Sequence, residues 1–148
     1  MIVKRSVTFT RPDNATVYTA GDVVGSGTVL DFGAVDGESA KVVGSKLSIS
    51  WSNVTNALFQ LFLFDDDTNI PSLIDNAAFV ITAALEDDMM GYNAFALEVT
   101  GTSGSAHAWD SNAGLSIPYG RYGVLVATAA YNPISGGTTV DLTLYVEV

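Results

Sequence analysis

Hydrophobic and polar residues alternate with a period of two along much of the chain. Four segments show this pattern: residues 6–10, 46–51, 95–100 and 140–148. Successive side chains of a strand point to opposite faces, so each segment is predicted to be a strand with one apolar and one polar face. Trp51 is in phase with Leu47 and Ile49 and is predicted to lie in the core. The pattern is typical of antiparallel sheets that bury one face.

Two further segments are apolar at nearly every position, namely residues 57–64 and 123–131. Their β-branched and aromatic residues favour strands over helices. Both faces of such a strand must be covered, one by the core of a sandwich and the other by a loop or a second subunit. The least regular stretch, residues 65–92, is predicted to contain a helical turn at residues 72–79, with Ser72 as its cap.

Glycine, asparagine, aspartate and proline residues separate these segments at close intervals, which is typical of short strands joined by turns. A chain of 148 residues is long enough for one domain with a substantial core. We therefore expect a single all-β domain spanning residues 1–148, folded as an antiparallel, jelly-roll-like β-sandwich. Residues 1–22 are expected to form an edge strand or an arm that reaches a neighbouring subunit.

The net charge of the chain limits the kinds of partner that it is expected to bind. The chain has six Lys and Arg residues and sixteen Asp and Glu residues, which gives a formal net charge of −10. Phosphate backbones are bound by clustered Lys and Arg, so nucleic acid is not an expected partner. The longest apolar runs are far shorter than the roughly 18 residues that cross a bilayer, and no secretory signal is recognised, so no membrane partner is expected.

The residue types also limit the chemistry. With no Cys and a single His, the sequence offers no disulfide framework, no thiol nucleophile and no multi-His metal site. We therefore expect a structural or binding protein rather than an enzyme, with no catalytic residue, metal or other cofactor.

The acidic run at residues 65–69 invites a calcium interpretation. The EF-hand pattern requires Gly at position six and Glu at position twelve, where this chain has Ile70 and Asn76. A solvated acidic turn is the favoured interpretation, since charge beside an apolar strand discourages edge-to-edge aggregation. A different kind of calcium loop, formed by Asp65–Asp67 together with residues 86–88, stays open.

His107 and Asp110 lie close in sequence to Ser103 and Ser105, which superficially resembles the residue set of a catalytic triad. No strand-to-helix elbow carries either serine, and the Gly and Ser residues around them indicate a surface loop. Catalysis is not expected here.

Four aromatic residues are candidates for a sugar-binding platform: Trp51, Trp109, Tyr119 and Tyr122. Aromatic side chains are also enriched at protein interfaces, and core or interface positions are the favoured interpretation. Trp109, in a polar loop, is the best candidate for exposure.

An ordered set of turn and core residues resembles a known family. Residues 10–24 contain Thr-Arg-Pro, a polar turn, Thr-x-Tyr and Gly-Asp-Val, and resemble the opening of small virion proteins of tailed bacteriophages and prophages. Later landmarks of that family match residues 58–64, 75–79, 122–127, 131–133 and 137–140. The resemblance covers most of the chain in order. Members with an assigned role look like capsid decoration (cement) proteins or other particle components.

The resemblance implies a structural protein of a phage virion, above all a decoration or cement protein that bridges capsid subunits on the outer shell. Its partners would be the major capsid protein and copies of itself, with a trimer favoured because such proteins usually sit on a local symmetry axis. Packaged DNA repels an acidic protein, which favours the capsid exterior, and synthesis is expected in the bacterial cytoplasm of the host. The alternative is a receptor- or carbohydrate-binding module of a phage tail or fibre.

The expected interface residues are Lys4, Arg5, Arg11, Pro12, Tyr18 and Trp109. Lys4, Arg5 and Arg11 provide half of all the cations and lie together in the N-terminal segment. Ordinary exposed charge is an equally weighted interpretation of these three residues.

Overall fold

The secondary structure is almost entirely β. The structure, a computed structural model, describes residues 1–36, 39–50, 57–99, 106–110, 116–133 and 138–148. Its elements in chain order are β1 (Ile2–Thr10), β2 (Leu30–Asp31), β3 (Lys41–Ile49), β4 (Leu58–Phe64), α1 (Ala83–Asp88), β5 (Met89–Ala96), β6 (Glu98–Val99), β7 (Ala106–Asp110), β8 (Ile117–Pro118), β9 (Tyr122–Ala127) and β10 (Thr139–Glu147). Within these ranges no helix is long and apolar enough to span a bilayer.

The strands form two antiparallel sheets whose order identifies the fold. The six-stranded sheet runs β1-β10-β3-β7-β6, with β8 also paired to β3, and the four-stranded sheet runs β2-β9-β4-β5. When β6 and β8 are set aside, eight strands remain, among them the equally short β2. Renumbered 1 to 8 in chain order, they give the orders 1-8-3-6 and 2-7-4-5. This is the order of an eight-stranded jelly roll. The prediction of an all-β, jelly-roll-like sandwich is confirmed.

The apolar residues of the alternating segments form one layer of the core. Leu47, Ile49, Val140, Leu142 and Leu144 are all buried between the sheets. The facing layer comes from the four-stranded sheet and includes Phe59, Leu61, Leu63, Phe95 and Leu125. Burial of one such large side chain stabilises the fold by about 1.5–3 kcal/mol.

A second apolar cluster lies on the outer side of the four-stranded sheet. Phe64, Val124 and Val126 point away from the main core and pack against Val23 and Leu73 from two loops, and against Leu85 of α1. The strands that are apolar on both faces are therefore covered by loops over β9 and over one end of β4. The sequence predicted that a loop or a second subunit would cover this second face, and here the cover is formed by loops.

The one described helix is not where the sequence predicted it. Residues 72–79 contain a turn in which Asn76 has a φ of 64°, a left-handed conformation that a helix cannot continue through. The helix begins later, at Ala83, where the side chain of Thr82 accepts a hydrogen bond from the backbone N–H of Leu85. Ser72 is therefore not a helix cap. Trp51, Ser103 and Ser105 lie outside the described residues.

Candidate interaction surfaces

Neighbouring positions on β1 place the predicted interface cations on opposite sides of the six-stranded sheet. Lys4 is exposed on the outer face, with its Nζ 5.7 Å from the centre of the Tyr145 ring. Arg5 faces the other way, and its Nη2 donates a hydrogen bond of 2.8 Å to the carbonyl oxygen of Ala34. Only Lys4 of this pair therefore belongs to the outer face.

Arg11 and Tyr18 are buried, with 2% and 0% of their surfaces exposed. The Nε of Arg11 donates to the hydroxyl oxygen of Tyr18 at 2.9 Å, and its Nη1 donates to the carbonyl oxygen of Asn14 at 3.0 Å. Both side chains are held by partners within the chain and expose almost no surface to a neighbouring protein. The prediction that they contact another protein is therefore corrected, because they support the fold from inside.

Asp75 completes this buried group, which we call the Arg11 cluster (Arg11, Tyr18 and Asp75). Its Oδ1 accepts hydrogen bonds from the hydroxyl of Tyr18 and, at 3.1 Å, from the backbone N–H of Gly25. Its Oδ2 lies 3.8 Å from Nη2 of Arg11, and its side chain is 5% exposed. The cluster ties the segment after β1 to the nearby loop of Gly25 and to the loop of Asp75, which is 57 residues from Tyr18.

Two stacked rings extend the cluster. Tyr18 and Tyr131 lie 4.7 Å apart between ring centres, with an angle of 9° between their planes. Burial raises the pKa of both hydroxyls well above the ordinary value of 10.0. Burial also raises the pKa of Tyr119 to about 12. All three side chains therefore stay neutral in the folded chain at pH values where free tyrosine ionises.

These shifts predict a loss of stability in alkali. The pKa of each of the three tyrosines is higher in the folded chain than in the unfolded chain, so their contribution is complete below pH 10.0 and is lost as the pH rises through the folded-state values. We expect the sheet signal in circular dichroism to disappear above pH 10.0, together with a late rise in tyrosinate absorbance. Complete ionisation of all six tyrosines near pH 10.0 with intact sheets would contradict this prediction.

The remaining two predicted interface residues are Pro12 and Trp109. Pro12 is exposed, directly after β1. Trp109, predicted to lie in a polar loop, lies instead in β7, in register with Lys46 of β3. His107 and Asp110, for which the sequence indicated a surface loop, lie on the same strand, with His107 in register with Ser48.

The outer face of the six-stranded sheet is polar. Ser6 and Thr143 share a hydrogen bond of 3.0 Å between their hydroxyls, and the hydroxyl of Thr8 donates to Oδ1 of Asp141. This is the wet side that the alternation predicted.

Part of the outer face of the four-stranded sheet is not covered by loops and exposes apolar side chains. Leu58 and Tyr92 are 41% and 53% exposed, and Ala94 and Ala96 of β5 are exposed beside them. The rings of Phe62 and Tyr92, 5.7 Å apart, join these positions to the loop-covered part of the same face. We call the four exposed residues Leu58, Tyr92, Ala94 and Ala96 the apolar patch.

The acidic turn at residues 65–67 is fully on the surface, as the favoured interpretation predicted. Hydrogen bonds from the hydroxyl and backbone N–H of Thr68 hold the pKa of Asp66 below its ordinary value. The amide Nδ2 of Asn69 donates to Oδ2 of Asp88 at 2.8 Å. Across the described ranges no three His, Asp or Glu side chains are grouped closely enough to hold a metal ion.

One ion pair could not be predicted from the sequence. Arg121 donates two hydrogen bonds to the carboxylate of Asp31, at 2.7 and 2.8 Å, although the two residues are 90 positions apart. Next to it, the hydroxyl of Tyr119 donates to the carbonyl oxygen of Gly33 at 2.6 Å. Tyr119 therefore uses its polar group inside the fold.

Comparison with known proteins gives distant structural similarity. No protein-family model and no curated protein matches the chain. A chain of tomato aspermy virus aligns with a TM-score of 0.35 at 10% identity, covering 99% of this chain and 78% of the viral chain. A chain from the capsid asymmetric unit of cyanophage Pam1 aligns with a TM-score of 0.29 at 19% identity, covering 98% and 83%.

A chain of a marine algae virus of the order Picornavirales aligns with a TM-score of 0.27 at 12% identity, covering 96% of this chain and 66% of the viral chain. All three TM-scores are low. The assignment of the fold therefore rests on the strand order of the chain itself.

Proposed function

We propose that the protein is a structural component of a bacteriophage virion, a decoration or cement protein that binds the outside of the capsid. The strand order 1-8-3-6 and 2-7-4-5 carries this proposal, because jelly rolls are the architecture of many viral capsid domains and of lectins. The resemblance of residues 10–24 and the later landmarks to small phage virion proteins favours the capsid over the lectin.

The apolar patch is the surface that we assign to the shell. None of its residues carries a charge at neutral pH, in a chain whose net charge is −10, so this face can approach another protein without charge repulsion. A protein that binds only the assembled shell stabilises that shell by its own binding free energy. A decoration protein of this kind acts by contact and needs no chemical step.

Washed particles provide the first test. Particles purified from the source bacterium are expected to contain this chain, detected by mass spectrometry, at a constant ratio to the major capsid protein through repeated washing. A mild denaturant is expected to release it while the shells stay intact. The proposal fails if the chain is lost in the first wash together with cytoplasmic proteins of the host.

A single substitution tests the assigned surface. Tyr92→Asp places a charge in the apolar patch and is expected to weaken binding to stripped particles about tenfold or more, since buried tyrosines are often worth more than 1 kcal/mol at interfaces. Ile74→Asp is the matched control, because it places the same charge on an exposed apolar residue outside the patch. Equal binding by both variants and the natural chain, measured by co-sedimentation, would show that the patch does not face the shell.

The carbohydrate-binding alternative has its own test. A glycan array probed with the folded chain and with a Trp109→Ala variant, each with and without calcium, is expected to show no binding. Glycan binding that Trp109→Ala abolishes would favour the module of a tail or fibre.

A further inference from the structure

The first strand is an edge whose hydrogen-bonding side can be read from two bonds at its ends. The carbonyl oxygen of Met1 accepts from the N–H of Val148 at 2.9 Å, and the N–H of Arg11 donates to the carbonyl oxygen of Thr138 at 3.1 Å. Both pairs belong to the same antiparallel register between β1 and β10. Bonded pairs alternate in such a ladder, so the odd-numbered residues of β1 bond to β10.

The even-numbered residues therefore point their N–H and C=O groups away from the sheet. These residues are Ile2, Lys4, Ser6, Thr8 and Thr10. Their side chains are all exposed, and within the described ranges their backbones make no hydrogen bond outside the sheet. A nine-residue edge with five unpaired donors and five unpaired acceptors is a template for another strand.

Charges on this edge restrict which strand can add to it. Lys4 and Arg5 are adjacent, and cations on an edge normally discourage indiscriminate pairing. Two copies of β1 could meet with Lys4 opposite Lys4 or Arg5 opposite Arg5, but like charges directly opposite each other are destabilising. A register that avoids both contacts places Ser6 opposite Ser6, Lys4 opposite Thr8 and Ile2 opposite Thr10.

We propose that β1 pairs antiparallel with β1 of a second copy of this chain, about a two-fold axis that passes beside Ser6. This register uses all nine residues of the strand and sets even-numbered residues opposite even-numbered residues, as the free backbone groups require. The contact is the same from both sides, which is the rule for two-fold interfaces. The inference goes beyond the proposed function and does not depend on it, and it replaces the trimer that the resemblance favours by a two-fold dimer.

Charge complementarity supports a second copy as the occupant. The hydroxyl of Thr8 holds the exposed carboxylate of Asp141 on the outer face of the sheet. In the paired sheet, Lys4 of the second copy stands next to Thr8 and two strand spacings, roughly 10 Å between Cα atoms, from Asp141. The two-fold axis repeats this attraction, so each copy contributes one cation and one carboxylate.

A cysteine at the axis gives the most specific test, because the natural chain has none. Ser6→Cys sets two thiols opposite each other in a hydrogen-bonded pair, where Cα atoms lie about 5.5 Å apart, within the range that a disulfide bridges. Mild oxidation of the purified full chain is expected to give a covalent dimer. Thr10→Cys is the matched control on the same strand and the same edge, since its two copies would be roughly 25 Å apart.

Cross-linking by Thr10→Cys as fast as by Ser6→Cys would overturn the proposed register, and no cross-linking by Ser6→Cys would overturn the pairing.

Sedimentation gives an independent readout. The natural chain and Ser6→Ala are expected to run as dimers, whereas Ser6→Pro removes an outward N–H and is expected to run as a monomer. Lys4→Glu is expected to weaken the dimer at least tenfold, and Lys4→Glu with Asp141→Lys to restore it. A monomeric or trimeric natural chain would contradict the proposal.

Discussion

Asp75→Ala is expected to lower the free energy of unfolding by about 3–5 kcal/mol. The substitution removes the acceptor of the Tyr18 hydroxyl and leaves the guanidinium of Arg11, whose side chain is 1% exposed, without its nearby countercharge. The backbone N–H of Gly25 loses its acceptor as well. Breaking one partner of a buried ion pair is costly because the other charge stays out of water.

Urea denaturation followed by circular dichroism measures this loss. Asp67→Ala is the control, because Asp67 is an exposed aspartate of the acidic turn, and it is expected to leave the urea midpoint nearly unchanged. Adding Arg11→Met to Asp75→Ala removes the second charge and is expected to recover part of the stability. If Asp75→Ala and Asp67→Ala have the same midpoint, the Arg11 cluster does not hold the loops together.

Gly120→Ala is expected to destabilise the fold by about 3 kcal/mol, at the upper end of the range for overpacking. A Cβ atom at Gly120 would lie 2.7 Å from the backbone nitrogen of Phe64 and 2.9 Å from the carbonyl carbon of Leu63. Both contacts are with the backbone of β4, which is hydrogen-bonded on both sides and cannot move aside as a flexible side chain would.

Gly25→Ala is the matched control for that clash. Its added Cβ would meet Cγ1 of Val23 at 3.4 Å, an ordinary contact, and Gly25 has no positive φ. We expect its thermal midpoint to stay close to that of the natural chain, while Gly120→Ala lowers the midpoint by several degrees. Equal midpoints for the two variants would mean that β4 and the segment before β9 pack less closely than the structure shows.

The sequence was sufficient to predict an all-β sandwich because alternation depends only on neighbouring residues. Leu142 and Leu144 on β10 are two positions apart and both buried, so the period of two identifies their face directly. The two-sided apolar strands were equally informative, since Phe64 and Val126 required a cover that the loops provide. Strand order is not written in this local pattern, because β10 pairs with both β1 and β3 from the far end of the chain.

The burial and the partners of the polar residues could not be predicted from the sequence pattern. Arg11 follows an exposed threonine in a polar segment and has the sequence signature of a surface cation, yet it lies inside the protein. Its partner Asp75 is 57 residues from Tyr18, and nothing in the spacing selects it among twelve aspartates. The helix predicted at residues 72–79 is absent for a local reason, since Asn76 adopts the left-handed conformation that asparagine tolerates better than most residues.

The predicted N-terminal arm proved to be a strand of the sandwich as far as Thr10. Its alternation had already indicated an edge strand, and the structure adds which backbone groups are unpaired. Lys4 alone among the three N-terminal cations keeps the exposed position that an interface requires.

A reconstruction of intact particles by cryo-electron microscopy tests the central claim most directly. We expect density for this sandwich on the outside of the shell, bridging neighbouring capsid subunits, with Tyr92 and the rest of the apolar patch turned towards them. Particles that carry no density for the chain, or that hold it inside the shell with the packaged genome, would contradict the account.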